Sequence, residues 1–419
     1  LNAFIYTELK IDLKIFALVS INKQIGCIFL ILGTSLGGGI LAIPMLLSYF
    51  GTIPGIIIMF LVWLLMTYST LAIAEACMHF ERGISFLGLA HKTFGKFGIV
   101  LVYICSFGIL YGMLTAYIAA IGQTYSNIFN FSVLFSQILF IILFGFFILK
   151  GTTHAEWLNR IFLSIKLIII IFVLALLISQ AKLDNLGDYE LSNIKELFIV
   201  IPVLATTFSA HVIIPTIRNY VGDYPKELRR IILIASFIIL AIYSLWVVAI
   251  FGNISINEGD KSFKFFLEKD SMMSVSEFLN ILKVNLGNGL VTKALFAFIA
   301  ISVTTAFITL SLSLRDLILD KSNIEKLKPV VKNILLIGLL FGIPIVIDYC
   351  FNKIFIMALS IVGLLALIML VACPLNMVRI LRKSGLKLKY KIMENKFING
   401  LALAVSLIII FLQLLDYLL

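Results

Sequence analysis

The chain has 419 residues, 61% of them hydrophobic and only 13% charged, with a formal net charge of +11. A soluble domain is closer to half apolar and a quarter charged, so a water-soluble fold of this size is excluded. Charge-free blocks such as Gln24–Ala74 and Phe97–Leu149 are each long enough for two helical crossings of a bilayer, at roughly 20 residues apiece.

Residues 1–22 read as a cytoplasmic extension. Glu8, Lys10, Asp12 and Lys14 interrupt its apolar positions, which a secretory signal does not tolerate. The first expected span, Gln24–Ser48, contains "ILGTSLGGGILAIP". Its middle carries Gly33, Thr34, Ser35, Gly37, Gly38 and Gly39, followed by Pro44, residues that loosen a helix. Gly33 and Gly37 form a GxxxG, which by itself only lets helices approach closely. The second span, Ile53–Ala76, ends near Glu75, a gate or an interfacial charge. Spans three and four fall at Phe97–Ile128 and Ser132–Leu149. Span five, Trp157–Ser179, carries Lys166 nine residues in. At ~1.5 Å per residue that is about 14 Å deep, near the bilayer centre. An ionisable residue there is a functional candidate by default, unless it snorkels to the surface.

Span six, Leu197–Ile217, is the second spoiled helix. Between Pro202 and Pro215 lies a polar island of Thr206, Thr207, Ser209 and His211. Span seven is Glu227–Phe251. The outside loop that follows, 252–290, has apolar residues at helical spacing in "SVSEFLNILKV" and predicts short helices over the mouth. Span eight, Val291–Leu319, holds Thr304 and Thr305. Spans nine, ten and eleven are Val331–Ile347, Ile354–Val378 and Phe397–Leu418, with a basic loop after Arg379.

Lys and Arg gather on the cytoplasmic side of membrane proteins. With the N-terminus inside, 24 fall in inside segments and eight outside, Lys166 belonging to neither. The C-terminus is then outside, and the basic excess faces anionic lipid rather than nucleic acid. The two spoiled spans are five apart. Residues 23–180 and 195–378 therefore read as inverted repeats of five spans each, with 379–419 as an addition. Unwound backbone inside a membrane is tolerable where it is buried or lines a cavity. Exposed amides near Gly37 to Gly39 suit a carboxylate, and exposed carbonyls at the end of the inner half-helix suit a cation. An amino acid carries both groups.

Other chemistries lack their motifs. No CxxC, HExxH, GxxxxGK[ST] or GxGxxG occurs, so neither a metal nor another cofactor is expected. The five cysteines read as small buried hydrophobes. Ser209 and His211 do not share a helix face, which argues against an intramembrane enzyme. A channel needs a continuous polar lining, whereas the polar residues cluster near mid-membrane. A transport-dead receptor stays open.

The sequence resembles the bacterial aromatic amino acid permeases, the tyrosine- and tryptophan-specific transporters. The resemblance is carried by "GTSLGGGILAIP", "LAIAEACMHF", "YGMLTAYIAAIG", "WLNRIFLSIK", "IPVLATTFSAHVIIPTIRNYVGDYPKELRR" and "FIMALSIVG". It implies an all-α polytopic protein of eleven transmembrane helices, a leucine-transporter-type core of five plus five with one C-terminal helix. It also implies aromatic amino acid uptake with a proton across the inner membrane. Proton- or sodium-coupled transport of another neutral amino acid is the alternative. Broken-helix positions carry over to Gly33–Gly39 and Thr207–His211, and helix-three tyrosines to Tyr111 and Tyr117. A lysine at the place of Lys166 resembles a substitute for bound sodium, and Thr304 and Thr305 lie where relatives complete a sodium site. The substrate side chain is expected to face Tyr111, Thr115, Phe208 and Ala210. The family's Ser-Phe-Gly-Phe-His-Gly stands here as Thr207, Phe208, Ser209, Ala210, His211 and Val212, so the pocket differs in shape.

Overall fold

Among the described residues of the computed structural model every regular element is helical. Those residues are 21–150, 152–187, 194–256, 262–264, 273–287, 289–321, 327–351, 354–383 and 396–418. The expectations for residues 1–20 and for the basic loop 384–395 lie outside them.

The first span is two helices, α1 (Ile21–Ser35) and α2 (Gly39–Leu47), bent by 60° at the glycines. Then follow α3 (Thr52–Met78), α4 (Phe86–Phe129), α5 (Val133–Lys150) and α6 (Thr152–Gln180). The sixth span is also split. Helix α7 (Leu197–Thr207) stops, Phe208 to Ala210 leave the helix, and a 3-10 turn at His211–Ile213 leads into α8 (Ile214–Val221). Helices α9 (Pro225–Asn253), α10 (Val275–Leu286) and α11 (Leu290–Lys321) come next. The ninth span joins α12 (Pro329–Ile337) to α13 (Ile343–Cys350) through a π-helical turn. The tenth joins α14 (Ile354–Ala366) to α15 (Cys373–Lys383) in the same way, and α16 (Lys396–Leu418) is last.

Among the described residues nine helices are long and apolar enough to cross a membrane, and the bent pair makes ten. The remaining expected crossing is the shorter apolar stretch Val133–Leu149. Span three starts well before the expected Phe97, because α4 opens with an amphipathic segment. Ser85 accepts from the Gly88 amide as N-cap, Phe86, Leu89 and Ala90 are buried, and His91 and Lys92 are exposed. That charge hides the segment from a hydropathy reading. Gly95, at φ 65°, kinks it into the span. The loop helix expected in "SVSEFLNILKV" is α10. It has a capping box between Ser274 and Glu277 and buries Val275, Phe278, Leu279 and Leu282. Its Ser276 is bonded to Gln123 and Asn127 at the end of α4.

Helix packing places the two breaks side by side. The third span packs on the tenth and the eighth on the fifth, two pairs that exchange when five is added to the span number. The second packs on the seventh and the third on the eighth, pairs that map onto themselves. Helix α2 is buried at all nine positions, whereas Ile168 and Ile171 of α6 point outward, as lipid-facing side chains do.

Candidate functional site

Among the described residues seven serines and threonines and one lysine converge where the two broken spans meet. They line a cavity of about 310 Å³, at the lower end of the ~300–1,000 Å³ typical of small-molecule sites. Gly33, Thr34, Ser35, Gly37 and Gly39 come from the first span, Thr206, Thr207 and Ser209 from the sixth, Lys166 from α6, and Thr305 and Thr309 from α11. Leu163, Leu310, Met113 and Leu359 supply apolar wall, and Tyr117 the ring. Thr34 and Thr309 are exposed while α2 is sealed. The cavity therefore opens toward the end of the bundle that carries Ile21 and Lys321, and is closed at the other.

The break in the first span is tied down on several sides. The Gly37 amide donates to the Ser35 carbonyl at 2.8 Å, and the Gly38 amide to the Tyr117 hydroxyl at 3.1 Å. The expected set of three open amides is thus reduced to that of Gly39, in the first turn of α2, where a helix has no partner of its own to offer. Gly38 itself stands outside the cavity lining. A Cβ there would overlap the Tyr117 ring, and one at Gly39 would lie 2.5 Å from Thr207 Cγ2. From α9, Tyr243 donates to the Ser35 carbonyl at 2.7 Å and Trp246 to that of Ile40 at 2.8 Å, one on each side of the break.

Lys166 is 2% exposed, so it does not snorkel. Its ammonium donates to the Leu36 carbonyl, freed by the break, and to the Thr305 hydroxyl at 3.3 Å. Among the described residues no carboxylate pairs with it. One cation thereby joins the first, fifth and eighth spans.

Other sequence candidates sit away from the cavity. The Tyr111 hydroxyl donates to the Leu339 carbonyl, inside the π turn of span nine, and Thr115 donates to the Tyr111 carbonyl at 2.9 Å within α4. Phe208 and Ala210 line a separate apolar gap of about 10 Å³, with Phe208 edge-on to Tyr243. His211 is fully buried against α3. The Thr70 hydroxyl donates to the Met66 carbonyl, so at 3.3 Å it accepts from His211 Nε2. Thr304 donates to the Ala300 carbonyl and meets the Tyr125 hydroxyl at 3.3 Å. Glu75, 0% exposed, takes two hydrogen bonds from Arg382, at 3.0 and 2.7 Å, and ties α3 to α15. Of the lining residues, Tyr117 and Thr206 were singled out in the sequence without being set against the substrate, and Thr309 was not singled out. Thr309 was findable, four residues after Thr305 and so on the same helix face.

Residues 20–413 match the model of the tryptophan/tyrosine permease family. The "Tyrosine-specific transport system 1" of Haemophilus influenzae is 29% identical over 88% of this chain and 91% of its own. The "Glutamine transporter 2" of Aliivibrio fischeri is 26% identical over 93% of this chain and 97% of its own. The "Tryptophan-specific transport protein" of Shigella flexneri is 25% identical over 89% of this chain and 90% of its own.

Proposed function

Because this chain belongs to the tryptophan/tyrosine permease family, and is a multi-pass amino acid permease rather than an enzyme, we propose that it imports an uncharged L-amino acid by proton symport across the bacterial inner membrane. The observation that carries this reading is the cavity at two broken helices, with the Lys166 ammonium bridging the break. The N-terminus is cytoplasmic in this reading, residues 23–180 and 195–378 are the two repeats, and the cavity faces inward.

The substrate carboxylate rests at the start of α2, on the Gly39 amide, and reaches Gly38 by taking over from the Tyr117 hydroxyl. The side chain lies among the residues of α7 and α11. With no carboxylate among the described residues lining the cavity, and the one lysine among them already engaged, neither an acidic nor a basic side chain is matched. The three relatives are named for tyrosine, glutamine and tryptophan. An aromatic substrate, tyrosine first, is the reading that family membership supports.

Coupling is assigned to Lys166. Protonated, it bonds Leu36 and holds the break in its binding geometry. Losing its proton into the cavity removes that bond and frees the first span to move. The ammonium also holds Thr305, so bound sodium is not needed there. The experiment is uptake of labelled amino acids into proteoliposomes with and without an imposed proton gradient. Saturable, sodium-independent accumulation that needs the gradient is expected. A flux that never saturates and ignores the gradient would indicate a channel and overturn the proposal.

A further inference from the structure

Among the described residues six of the seven serine and threonine protons around the cavity are committed, all but that of Ser35, and that sets what the cavity can bind. Thr34 donates to the Ile31 carbonyl at 2.9 Å, and Thr206, Thr207 and Ser209 donate to those of Val203, Leu204 and Thr206, each at 2.7 Å. Thr305 and Thr309 likewise donate to Ser302 and Thr305, both at 2.9 Å. A hydroxyl has one proton and two lone pairs, so these oxygens present acceptors. Three of them, Thr206, Thr207 and Ser209, sit together at the broken end of α7. Across the break Ser35 is 6% exposed and lines the cavity, yet its Oγ has no hydrogen-bond partner.

The aromatic content points the same way. Tyr117 is the one ring among the described residues of the lining, and its hydroxyl accepts from the Gly38 amide. Phe208, the aromatic residue of the break, is turned to Tyr243 outside the cavity. No pair of ring faces is available to sandwich a purely apolar side chain, and a hydrocarbon pressed on the α7 oxygens would strip them of water without replacing its hydrogen bonds.

We infer that this site selects substrates whose uncharged side chain carries a hydrogen-bond donor, such as a phenol, an indole or a carboxamide. Ser35, Thr206 and Ser209 are the residues that read the donor. This rests on the transport function proposed above and narrows its substrate class. A site built to bond a side-chain O–H or N–H rejects the analogue lacking it far better than an apolar pocket rejects an extra methylene.

Two shape-matched pairs test it: tyrosine against phenylalanine, and glutamine against methionine. Gradient-driven uptake of tritiated tyrosine, glutamine and leucine is measured in proteoliposomes, with each pair as unlabelled competitors. The expected result is entry of tyrosine or glutamine, with its donor-free match competing roughly tenfold or more weakly. Competition by phenylalanine or methionine within threefold of its match, or preferred entry of leucine, overturns the inference and leaves the transport function standing. Entry of none of the three, nor of tritiated tryptophan, overturns both. Ser35→Ala removes no bond within the protein, and Thr206→Val keeps the shape. Each is expected to shrink the tenfold ratio, and a ratio unchanged in both variants rejects these residues as the donor readers.

Discussion

Gly37 and Gly38 are adjacent, apolar and equally suggestive in the sequence, yet their surroundings differ. A Cβ on Gly37 would sit 3.6 Å from the Tyr117 hydroxyl and 3.8 Å from Ala306, ordinary contact distances. A Cβ on Gly38 would occupy the Tyr117 ring, in a core too dense to give way cheaply. Gly38→Ala is therefore expected to abolish uptake, while Gly37→Ala stays within about threefold of the parent; comparing the two in one transport assay checks the placement of Tyr117. The break and the buried lysine were legible because polar and helix-breaking residues stand out against an apolar background. Tyr117 was harder to choose over Tyr111. The third span is apolar on every side, so no polar face tells which tyrosine turns to the cavity. What separates them is the partner each hydroxyl finds, an amide of the broken first span for Tyr117 and a carbonyl of the π turn in span nine for Tyr111.

At the scale of elements, polar side chains fasten the ends and irregular turns of helices. Both π turns receive a hydroxyl from another span, Tyr111 at Leu339 and Ser69 at Leu370, which supplies the hydrogen bond a widened turn loosens. The sequence signalled neither turn, since both lie in ordinary apolar runs. Arg218, 3% exposed, donates to the Cys77, Phe80 and Glu81 carbonyls and so caps α3 from α8. Glu75 and Arg382 join α3 to α15. Leaving one member of such a buried pair unpartnered typically costs ~3–5 kcal/mol. Glu75→Ala and Arg382→Ala are each expected to lower thermal stability in detergent, and the double variant to lose clearly less than the sum. Strict additivity in that cycle would show that the pair is not coupled. Asp223 links Arg82 and Arg218 at the same end, at 3.1 and 2.9 Å. Its partial burial works to raise the carboxyl, but hydrogen bonds and charge from Arg218 and Arg82 outweigh that and hold it below the usual carboxylate range. The folded form therefore favours the ionised carboxylate. The stabilisation is present above the unfolded value, near ~3.9, and is lost as pH falls through the lowered folded value. Acid titration of stability should show this loss in the parent and not in Asp223→Asn; identical profiles would remove Asp223 from the latch.

Over the whole molecule, the pairing of spans three with ten and eight with five brings two helices broken at matching positions to one cavity. The two breaks and their five-span offset were legible in the sequence; which spans pack on which was not read from it. The direction in which the cavity opens was not, because opening depends on how helices tilt, and a sequence specifies more than one tilt in a protein that moves. Thr309 and Thr34 lie on the open side. Of the five cysteines Cys350 alone is exposed, so Cys350→Ser gives a quiet background. In it, Thr309→Cys is expected to react with a membrane-impermeant thiol reagent applied from the Ile21 side and to be protected from the opposite side. Equal labelling from both sides would contradict an inward-facing cavity.

The most direct measurement of the central claim compares the parent with Lys166→Ala in proteoliposomes, scoring gradient-driven accumulation and counterflow exchange of the same labelled amino acid. Among the described residues Lys166 is the one cation that joins the broken first span to spans five and eight. Its removal is therefore expected to abolish accumulation against a gradient while leaving part of the exchange, and Lys166→Arg, which does not deprotonate, should also fail to accumulate. Full proton-driven accumulation by the alanine variant would contradict the account and place the coupling site elsewhere.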